Sequence, residues 1–240
     1  MKRVTKHKKY QDVVEQVRSL AWNGKHAQAI AVSTQELEKT DLPISLHMDL
    51  LNLRAESYTA HGKLDMALDD ALSMETVSKS AVKSHSLKAQ ALIAKGTIQL
   101  RKGDYKGAVK SLKTALVSAK QSKNKSLMGQ SLLGLSQAYY QLWESSKGIR
   151  SAQHAITIFQ ELNDAPLLGR SYRALASLYF GQKQTEKALS TAYTALELGE
   201  QAGDQYGIGN ALNTIASLVT DLGESIRLLQ RAVQIFKSIQ

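Results

Sequence analysis

One small residue returns at nearly equal intervals along this sequence. It stands at six equivalent positions: Ala29, Ala67, Ala108, Gly148, Ala188 and Ser225. The steps between them are 38, 41, 40, 40 and 37 residues. A period of this size is typical of stacked helical hairpins, because one hairpin buries its apolar face only against its neighbours. The sequence therefore predicts an all-α array of hairpins rather than a single globular core.

Residues 92–116 show one such hairpin most clearly. Two short helical patterns meet at the turn Gly-Asp-Tyr that begins at Gly103. After the turn, Val109 and Leu112 begin an apolar row with spacings of three and four residues, which is one face of a helix. Before the turn, Gly96 is small at the place where the two helices are expected to cross.

Comparison of the sequence with itself divides the chain into a basic N-terminal tail and six units. The tail is 1–9, and the units cover about 10–40, 42–81, 83–124, 126–164, 166–203 and 205–240. Each unit is expected to turn once between its two helices. The turn of the last unit is placed at Gly223.

A glycine also returns near the start of the first helix in three units. Gly129, Gly169 and Gly209 stand at intervals of forty residues. Because glycine inside a helix costs about 1 kcal/mol relative to alanine, its return favours close packing of neighbouring helices. Drift within a duplicated sequence is the alternative.

The composition argues against several classes of function. The chain has no cysteine, which excludes disulfides and thiolate chemistry and fits a reducing, cytoplasmic location. No apolar run approaches the ~18 residues of a membrane span. The histidines show no metal-ligand spacing, and no nucleophile motif or phosphate loop is present. We therefore expect no metal, no cofactor and no enzymatic activity.

The net charge of +10 is unevenly distributed. Residues 36–75 carry nine acidic and three basic side chains, whereas residues 79–125 carry twelve basic side chains and only Asp104 as an acid. The lysines of this basic tract lack interleaved aromatic residues, which favours a solvated face over a site for nucleic acid or an acidic partner. The acid-rich second helix of unit two, which contains Asp65 and Glu75, is a further candidate to pair with the tract.

The array of units resembles tetratricopeptide repeats. The repeat of that family has small residues at fixed places, which unit three supplies as Gly96, Ala108 and Ala115, and it has an aromatic place that unit five fills with Tyr179. The spacing near forty residues departs from the usual ~34. It is similar to the longer-repeat branch found in Pins/LGN-type scaffolds, kinesin light chains, and Rap-type and maltose-regulator-type bacterial regulators.

The resemblance implies a right-handed α-solenoid of six hairpins whose concave groove is lined by the first helix of each unit. It implies a peptide-binding or partner-binding set: Tyr140, Arg170, Arg173, Ser177, Phe180, Asn210 and Asn213. The same mapping places further side chains on the concave face: Arg18, Asp49, Glu56, Arg101 and Leu133.

Spacing on the helix supports this set. Arg170, Arg173 and Ser177 are three and four residues apart, so they share one face of a helix. Arginine and asparagine side chains can bind a carboxylate or an extended peptide backbone through several hydrogen bonds. The alternative is an exposed polar helix face that binds no ligand.

The C-terminal helix has two apolar rows. The first is expected to pack inside unit six: Ile226, Leu229, Val233 and Phe236. The second is expected to face outwards as an interface: Leu228, Ala232, Ile235 and Ile239. An exposed row of this kind suits a piece of a larger protein, in which a further element packs there, or a homodimer joined at this edge.

Two functional hypotheses follow. In the first, the protein is a non-catalytic interaction scaffold that binds a peptide or partner helix in its concave groove, with an acidic partner as one version. In the second, the chain is a sensor, regulatory or self-association region of a larger bacterial signalling protein, such as a transcription activator or nucleotide cyclase.

Overall fold

The computed structural model describes residues 2–40, 42–80 and 84–239, and within these ranges the chain forms twelve α-helices and no strand. The helices are α1 (Lys2–Trp22), α2 (His26–Leu37), α3 (Ile44–Ala60), α4 (Leu64–Ser80), α5 (His85–Arg101), α6 (Tyr105–Gln121), α7 (Lys125–Gln141), α8 (Ser145–Glu161), α9 (Ala165–Gly181), α10 (Thr185–Ala202), α11 (Gln205–Ala216) and α12 (Leu222–Ser238). None of these helices combines the length and apolarity needed to cross a membrane.

The helices form two layers. Each helix contacts the next one along the chain. Each odd-numbered helix also lies against the next odd-numbered helix, from α1 to α11. The backbones of even-numbered helices do not approach one another in this way within the described ranges, and α10 and α12 meet through side chains, as in the ion pair of Glu200 with Arg231 at 2.8 Å. The odd-numbered helices are therefore closer together and form the inner, concave layer. The fold is an all-α solenoid of helical hairpins, as the sequence period predicts.

Two boundaries differ from those expected from the sequence. Helix α1 begins at Lys2, so residues 2–9 continue the first helix instead of forming a separate tail. In the last hairpin, α11 ends at Ala216 and the side chain of Asp221 accepts a hydrogen bond from the N–H of Glu224 at the start of α12. The turn therefore precedes Gly223, which belongs to the first turn of α12.

Short polar side chains set where many of the helices begin. Their oxygen accepts a hydrogen bond from the backbone N–H three residues later at Ser84, Asp104, Asn124, Asp164, Asp204 and Asp221. These caps satisfy donors that the first turn of a helix leaves unpaired. The equivalent caps repeat the same turn geometry along the solenoid.

Glycines allow the helices to cross closely. A Cβ atom built on Gly96 or Gly134 would lie 2.6 or 2.8 Å from a side-chain atom of Leu112, so this leucine fits between two glycines on α5 and α7. A Cβ atom built on Gly129 would lie 2.7 Å from the nearest ring atom of Phe159, which is fully buried. Close packing therefore explains these positions.

The three equivalent glycines do not all have the same role. A Cβ atom built on Gly209 would lie 2.8 Å from the ring of Phe236, which is the same close approach that Gly129 makes to Phe159. On Gly169 the nearest atom would be 3.6 Å away, which is an ordinary contact. The packing interpretation is therefore correct for Gly129 and Gly209, and Gly169 has room for a methyl group.

Ion pairs join the acidic and basic units. Lys95 of α5 donates to Glu75 of α4 at 2.7 Å, and Lys102 pairs with Asp65. The acid-rich helix therefore does pair with part of the basic tract. A further acid of the same helix, Asp70, is instead buried and pairs within its own hairpin.

The pair formed by Asp70 is the most buried ion pair in the described chain. Arg54 donates from Nε and Nη2 to the two carboxylate oxygens of Asp70, at 2.9 and 2.6 Å. Its third nitrogen donates to the Thr34 hydroxyl at 3.0 Å, which connects α3 to α2. The Asp70 side chain is only 5% exposed. This pair fixes α3 against α4 and was not predicted from the sequence.

The two apolar rows of α12 are arranged in the opposite way to the prediction. Ala232 is fully buried, and Leu228 and Ile235 pack against the same core cluster. The row that was expected to be internal contains Ile226, Leu229 and Val233, which are 40–49% exposed. Only Phe236 of that row packs against the core. The predicted interface through Leu228, Ala232, Ile235 and Ile239 is therefore wrong in its choice of face.

Candidate functional site

The candidate binding residues lie on three neighbouring helices of the concave layer. Tyr140 is on α7, four of the residues are on α9, and Asn210 and Asn213 are on α11. Arg170, Phe180 and Asn213 are exposed, and the others are half-buried. The structure therefore brings all seven to adjacent inner helices, where α7 contacts α9 and α9 contacts α11.

Arg173 has the most unusual environment of these residues. Burial lowers the pKa of its guanidinium to about 10, and repulsion from Arg170 and Arg101 adds to this effect. The charges of Tyr206 and Asp204 act in the opposite direction. The guanidinium makes no hydrogen bond or ion pair with any residue that the structure describes. It is therefore a half-buried, partly desolvated cation without a direct counterion among the described residues.

Arg170 and Arg173 line a narrow cleft between α9, α10 and α11. The rest of the lining is mostly small: Ala165, Gly169, Ala195, Gly199, Gly207 and Ala211. Because these residues have little or no side chain, the helices leave a cleft beside the two arginines. The free volume is about 10 Å³, which is roughly the room needed by one water molecule.

An acid lies at the edge of the cleft but is engaged in capping. Asp204 lines the cleft and accepts a hydrogen bond from the N–H of Gly207 at 2.8 Å. Its charge raises the pKa of Arg173 without a hydrogen bond between the two side chains. Asp204 is not among the binding residues expected from the sequence, although it lies beside the arginines.

The amide and hydroxyl side chains of the candidate set differ in whether they already make a hydrogen bond within the protein. Asn210 donates from Nδ2 to the carbonyl oxygen of Tyr206 at 2.7 Å, and Ser177 donates to the carbonyl oxygen of Arg173 at 3.3 Å. Asn213 is exposed and makes no side-chain hydrogen bond within the described residues. Of the three, Asn213 therefore has its full hydrogen-bonding capacity available.

The two aromatic candidates lie at the same end of α7 and α9. Phe180 is 44% exposed. Tyr140 packs partly against the core cluster that includes Leu175 and Leu178, and its ring lies 3.7 Å from the position that a Cβ atom on Gly181 would take. The pair provides an apolar surface beside the polar part of the groove. Leu133 does not contribute to it, because this residue is buried in the core, contrary to the concave mapping.

Charged residues of distant hairpins also interact electrostatically across the concave layer. The Glu56 side chain on α3 is exposed to solvent, but the surrounding groove walls restrict its hydration and raise its pKa. The hydrogen bond from Asn52 opposes this rise, as do the charges of Arg170 on α9 and Arg18 on α1. Burial likewise raises the pKa of Asp49, and Arg18 opposes that rise. The curvature of the solenoid therefore brings α3 and α9 within electrostatic reach.

No metal site accompanies this groove in the part of the chain that the structure describes. Within those ranges no group of three or more histidine, aspartate or glutamate side chains could hold a metal ion. The chemistry that the groove offers is hydrogen bonding, charge and apolar contact.

A second exposed feature lies on α12. The residues Leu222, Ile226, Leu229 and Val233, which we call the α12 row, follow each other at spacings of three and four and are 40–73% exposed. In the preceding hairpin, Ala192 and Leu196 occupy the equivalent face of α10, and they belong to the core shared with α11. The α12 row therefore corresponds to the face of α10 that packs against the next hairpin.

Comparison with solved structures identifies the fold. A Rap protein complexed with Competence and Sporulation Factor superposes with a TM-score of 0.67 and 16% sequence identity. The superposition covers 97% of this chain and 66% of the Rap chain. BtubC from P. vanneervenii gives a TM-score of 0.67 and 13% identity, with 91% of each chain covered. A thermophilic TPR protein from Thermus thermophilus gives a TM-score of 0.62 and 17% identity, over 93% of this chain and 99% of that chain.

Sequence comparison gives no further assignment. No protein-family model matches this sequence, and no curated protein sequence matches it. The structural similarities are all at low identity, so they establish the fold and leave the partner open. The chain is an α-solenoid with the fold of tetratricopeptide repeat proteins.

Proposed function

We propose that this protein is a non-catalytic interaction scaffold that binds a peptide or a partner helix in its concave groove. The observation that carries the proposal is Arg173, a half-buried guanidinium that lines the cleft beside Arg170 and has no counterion within hydrogen-bonding distance in the described chain. A partly desolvated charge without a partner is costly, and a ligand that supplies the partner recovers that cost on binding. The absence of cysteine suits a cytoplasmic location for such a scaffold.

The neighbouring residues give the ligand further contacts. Asn213 is free to pair with a peptide N–H and C=O together, and Asn210 retains its side-chain oxygen as an acceptor. Phe180 and Tyr140 offer an apolar surface for a side chain of the ligand. The Rap protein of similar fold was solved in complex with Competence and Sporulation Factor, which supports a ligand-binding role for a solenoid of this shape.

Selection from a library of short random peptides tests this function. Peptides that bind the wild-type protein are isolated, and their affinities are measured for Arg173→Glu and for Lys113→Glu. Lys113 is exposed on the outer helix α6, so its replacement changes the net charge equally without touching the groove. We expect Arg173→Glu to abolish binding with helix content unchanged and Lys113→Glu to retain it. Equal affinity of Arg173→Glu and wild type would exclude this site.

The α12 row favours a second candidate function. Its exposed apolar face is suited to self-association, or to contact with a further element of a larger bacterial signalling protein. Light scattering over a concentration series tests self-association directly. A dimer that dissociates when Ile226 and Val233 are changed to lysine supports it, whereas a monomer at every concentration contradicts it.

A further inference from the structure

Four lysines form a row along the outer face of α6. They follow one another at spacings of four, three and seven residues, which keeps them on one face of the helix, and all four are exposed: Lys106, Lys110, Lys113 and Lys120. Val117, also exposed, stands in the same row before the last lysine. With a rise of ~1.5 Å per residue, this lysine row is about 21 Å long.

The described protein leaves the lysine row without counterions. Helix α6 contains no aspartate or glutamate. None of its four lysines forms an ion pair within the described ranges, whereas Lys95 and Lys102 of the preceding helix region do. Like charges three and four residues apart on a helix repel one another. The row is therefore stabilised by a partner that brings several negative charges in line.

The neighbouring outer helices limit the shape of that partner. On α8, Arg150 is exposed, and the acid of this helix, Glu161, pairs with Lys125. The outer helices on either side are acidic, because α4 carries four acids and one lysine and α10 carries three acids and one lysine. Positive charge therefore forms a strip along α6 and α8 between two acidic helices. A narrow polyanion that follows α6 stays within this strip, and a wide one reaches the acids.

An unusual tryptophan stands at one end of the strip. Trp143, in the turn between α7 and α8, is 83% exposed. Its backbone has a φ of 60°, a left-handed conformation that is strained for a bulky residue. The equivalent turn of the preceding hairpin has Gly103 at this place, with a φ of 80°. The indole therefore contributes neither to the core nor to the ease of the turn, and it is available to a partner.

A surface cleft of about 260 Å³ joins this turn to the lysine row. Five residues line the cleft: Gly103, Asp104, Tyr105, Lys106 and Leu142. Lys106 is the first lysine of the row and Leu142 directly precedes Trp143, so the cleft, the tryptophan and the row are adjacent. Asp104 is engaged in capping α6, where it accepts a hydrogen bond from the N–H of Gly107 at 2.9 Å.

We propose that this outer surface binds a single strand of nucleic acid, with phosphates along the lysine row and a base stacked on Trp143. A basic track that follows the backbone and an aromatic ring for a base are the two contacts by which proteins bind single strands without reading their sequence. The basic tract of the sequence lacks interleaved aromatic residues, and the fold supplies one from the next hairpin. At ~3.4 Å per nucleotide, the row matches about six nucleotides.

A partner helix fits this surface less well. Docking of a helix requires a row of apolar contacts, and the lysine row contains a single apolar side chain, Val117. The surface lies on the outer layer and includes none of the concave residues, so the proposal goes beyond the peptide-binding function and does not depend on it.

Fluorescence anisotropy of the full chain with short labelled oligothymidine and oligouridine tests the proposal. The logarithm of the binding constant should fall with the logarithm of salt concentration with a slope of about −3, since four phosphate contacts on a single strand contribute about −0.7 each. Lys110→Gln should weaken binding and reduce this slope by about 0.7. Lys237, which is exposed on the outer helix α12, provides the matched control, and Lys237→Gln should change neither.

Trp143→Gly tests the stacking contact without harming the fold. Glycine suits the left-handed turn, as at Gly103, so the melting temperature should not fall. Binding should weaken about fivefold to a hundredfold, which is the effect of losing one stacked base. Trp143→Phe keeps an aromatic ring and should retain most of the affinity.

Four results would overturn the proposal. They are no binding of either strand at low salt, tighter binding of a duplex of the same length, unchanged affinity in Trp143→Gly, and an equal loss in Lys237→Gln and Lys110→Gln. Polyglutamate that competes as well as an unlabelled strand would assign the surface to acidic protein segments and reject nucleic acid. Peptide binding in the concave groove is measured separately, so either function can fail without the other.

Discussion

Glu56 and Arg170 interact electrostatically across the concave surface, although they belong to α3 and α9. Glu56 therefore places a negative charge near Arg170, one of the residues that we propose to bind the ligand. Replacing Glu56 with glutamine should tighten binding of an acidic groove peptide by up to about fivefold, because an exposed charge interaction is worth less than about 1 kcal/mol. Fluorescence anisotropy with a selected peptide measures this change.

A matched replacement separates this local effect from net charge. Glu186 is exposed in the first turn of the outer helix α10, so Glu186→Gln changes the net charge by the same amount away from the groove. It should leave the affinity unchanged. Because the groove raises the pKa of Glu56 and so penalises its charged form, Glu56→Gln should not lower the melting temperature. Weaker peptide binding in Glu56→Gln would contradict this account.

The recurring glycines give a prediction about stability. Gly129→Ala places a methyl group against the buried ring of Phe159 and should destabilise the fold by about 1–3 kcal/mol. Gly169→Ala meets only ordinary contacts and should stabilise it by up to about 1 kcal/mol, since alanine favours the helix. Urea unfolding of the two variants measures the difference. Equal destabilisation by both would show that the crossing distances are not as described.

The buried Arg54–Asp70 pair gives a second prediction about stability. Asp70→Asn leaves the Arg54 guanidinium without its carboxylate and should cost about 3 kcal/mol of unfolding free energy. Asp65→Asn breaks the pair with Lys102, in which the Asp65 side chain is 90% exposed, and should cost less than about 1 kcal/mol. The double variant Arg54→Met, Asp70→Leu should recover part of the loss. A similar cost for Asp70→Asn and Asp65→Asn would be evidence against a buried pair.

The stability of the fold should also depend on pH through two histidines. Burial lowers the pKa of His26, with a further contribution from His61, and burial together with Arg54 lowers that of His47. Below their ordinary pKa of 6.5, the unfolded chain binds protons that the folded chain excludes. The free energy of unfolding should therefore be level above this pH and fall as the pH drops below it.

Urea unfolding across that pH range tests the histidine prediction. The slope with pH should decrease in the variant His26→Gln, His47→Gln. His154, which is exposed on α8, provides the control, and His154→Gln should keep the slope of the wild type. An unchanged slope in the double variant would assign the pH dependence to other groups.

The repeat period was sufficient to predict the hairpins, because each unit copies the same small and apolar positions. It also placed Gly96 correctly at a crossing, where Leu112 fills the space that a side chain would need. The faces of α12 were assigned wrongly, because both apolar rows have the same spacing and the pattern alone does not say which faces the core. Comparison with Ala192 and Leu196 on α10 would have identified the row that faces the next hairpin.

The charged contacts were less predictable. Asp70 lies in an acid-rich helix, and nothing in its local sequence distinguishes it from Asp65, which is exposed. Its role depends on the approach of Arg54 from the preceding helix. In the same way, the electrostatic interaction of Glu56 with Arg170 depends on the curvature of the whole array, which no local pattern contains.

Mapping a selected peptide onto the protein by NMR tests the central claim most directly. Backbone amide shifts of the isotope-labelled chain are recorded with and without the peptide. Binding in the concave groove predicts the largest changes on the inner helices α7, α9 and α11, around Tyr140, Arg173 and Asn213. Changes concentrated on the outer helices or on the α12 row, with α9 unaffected, would contradict it.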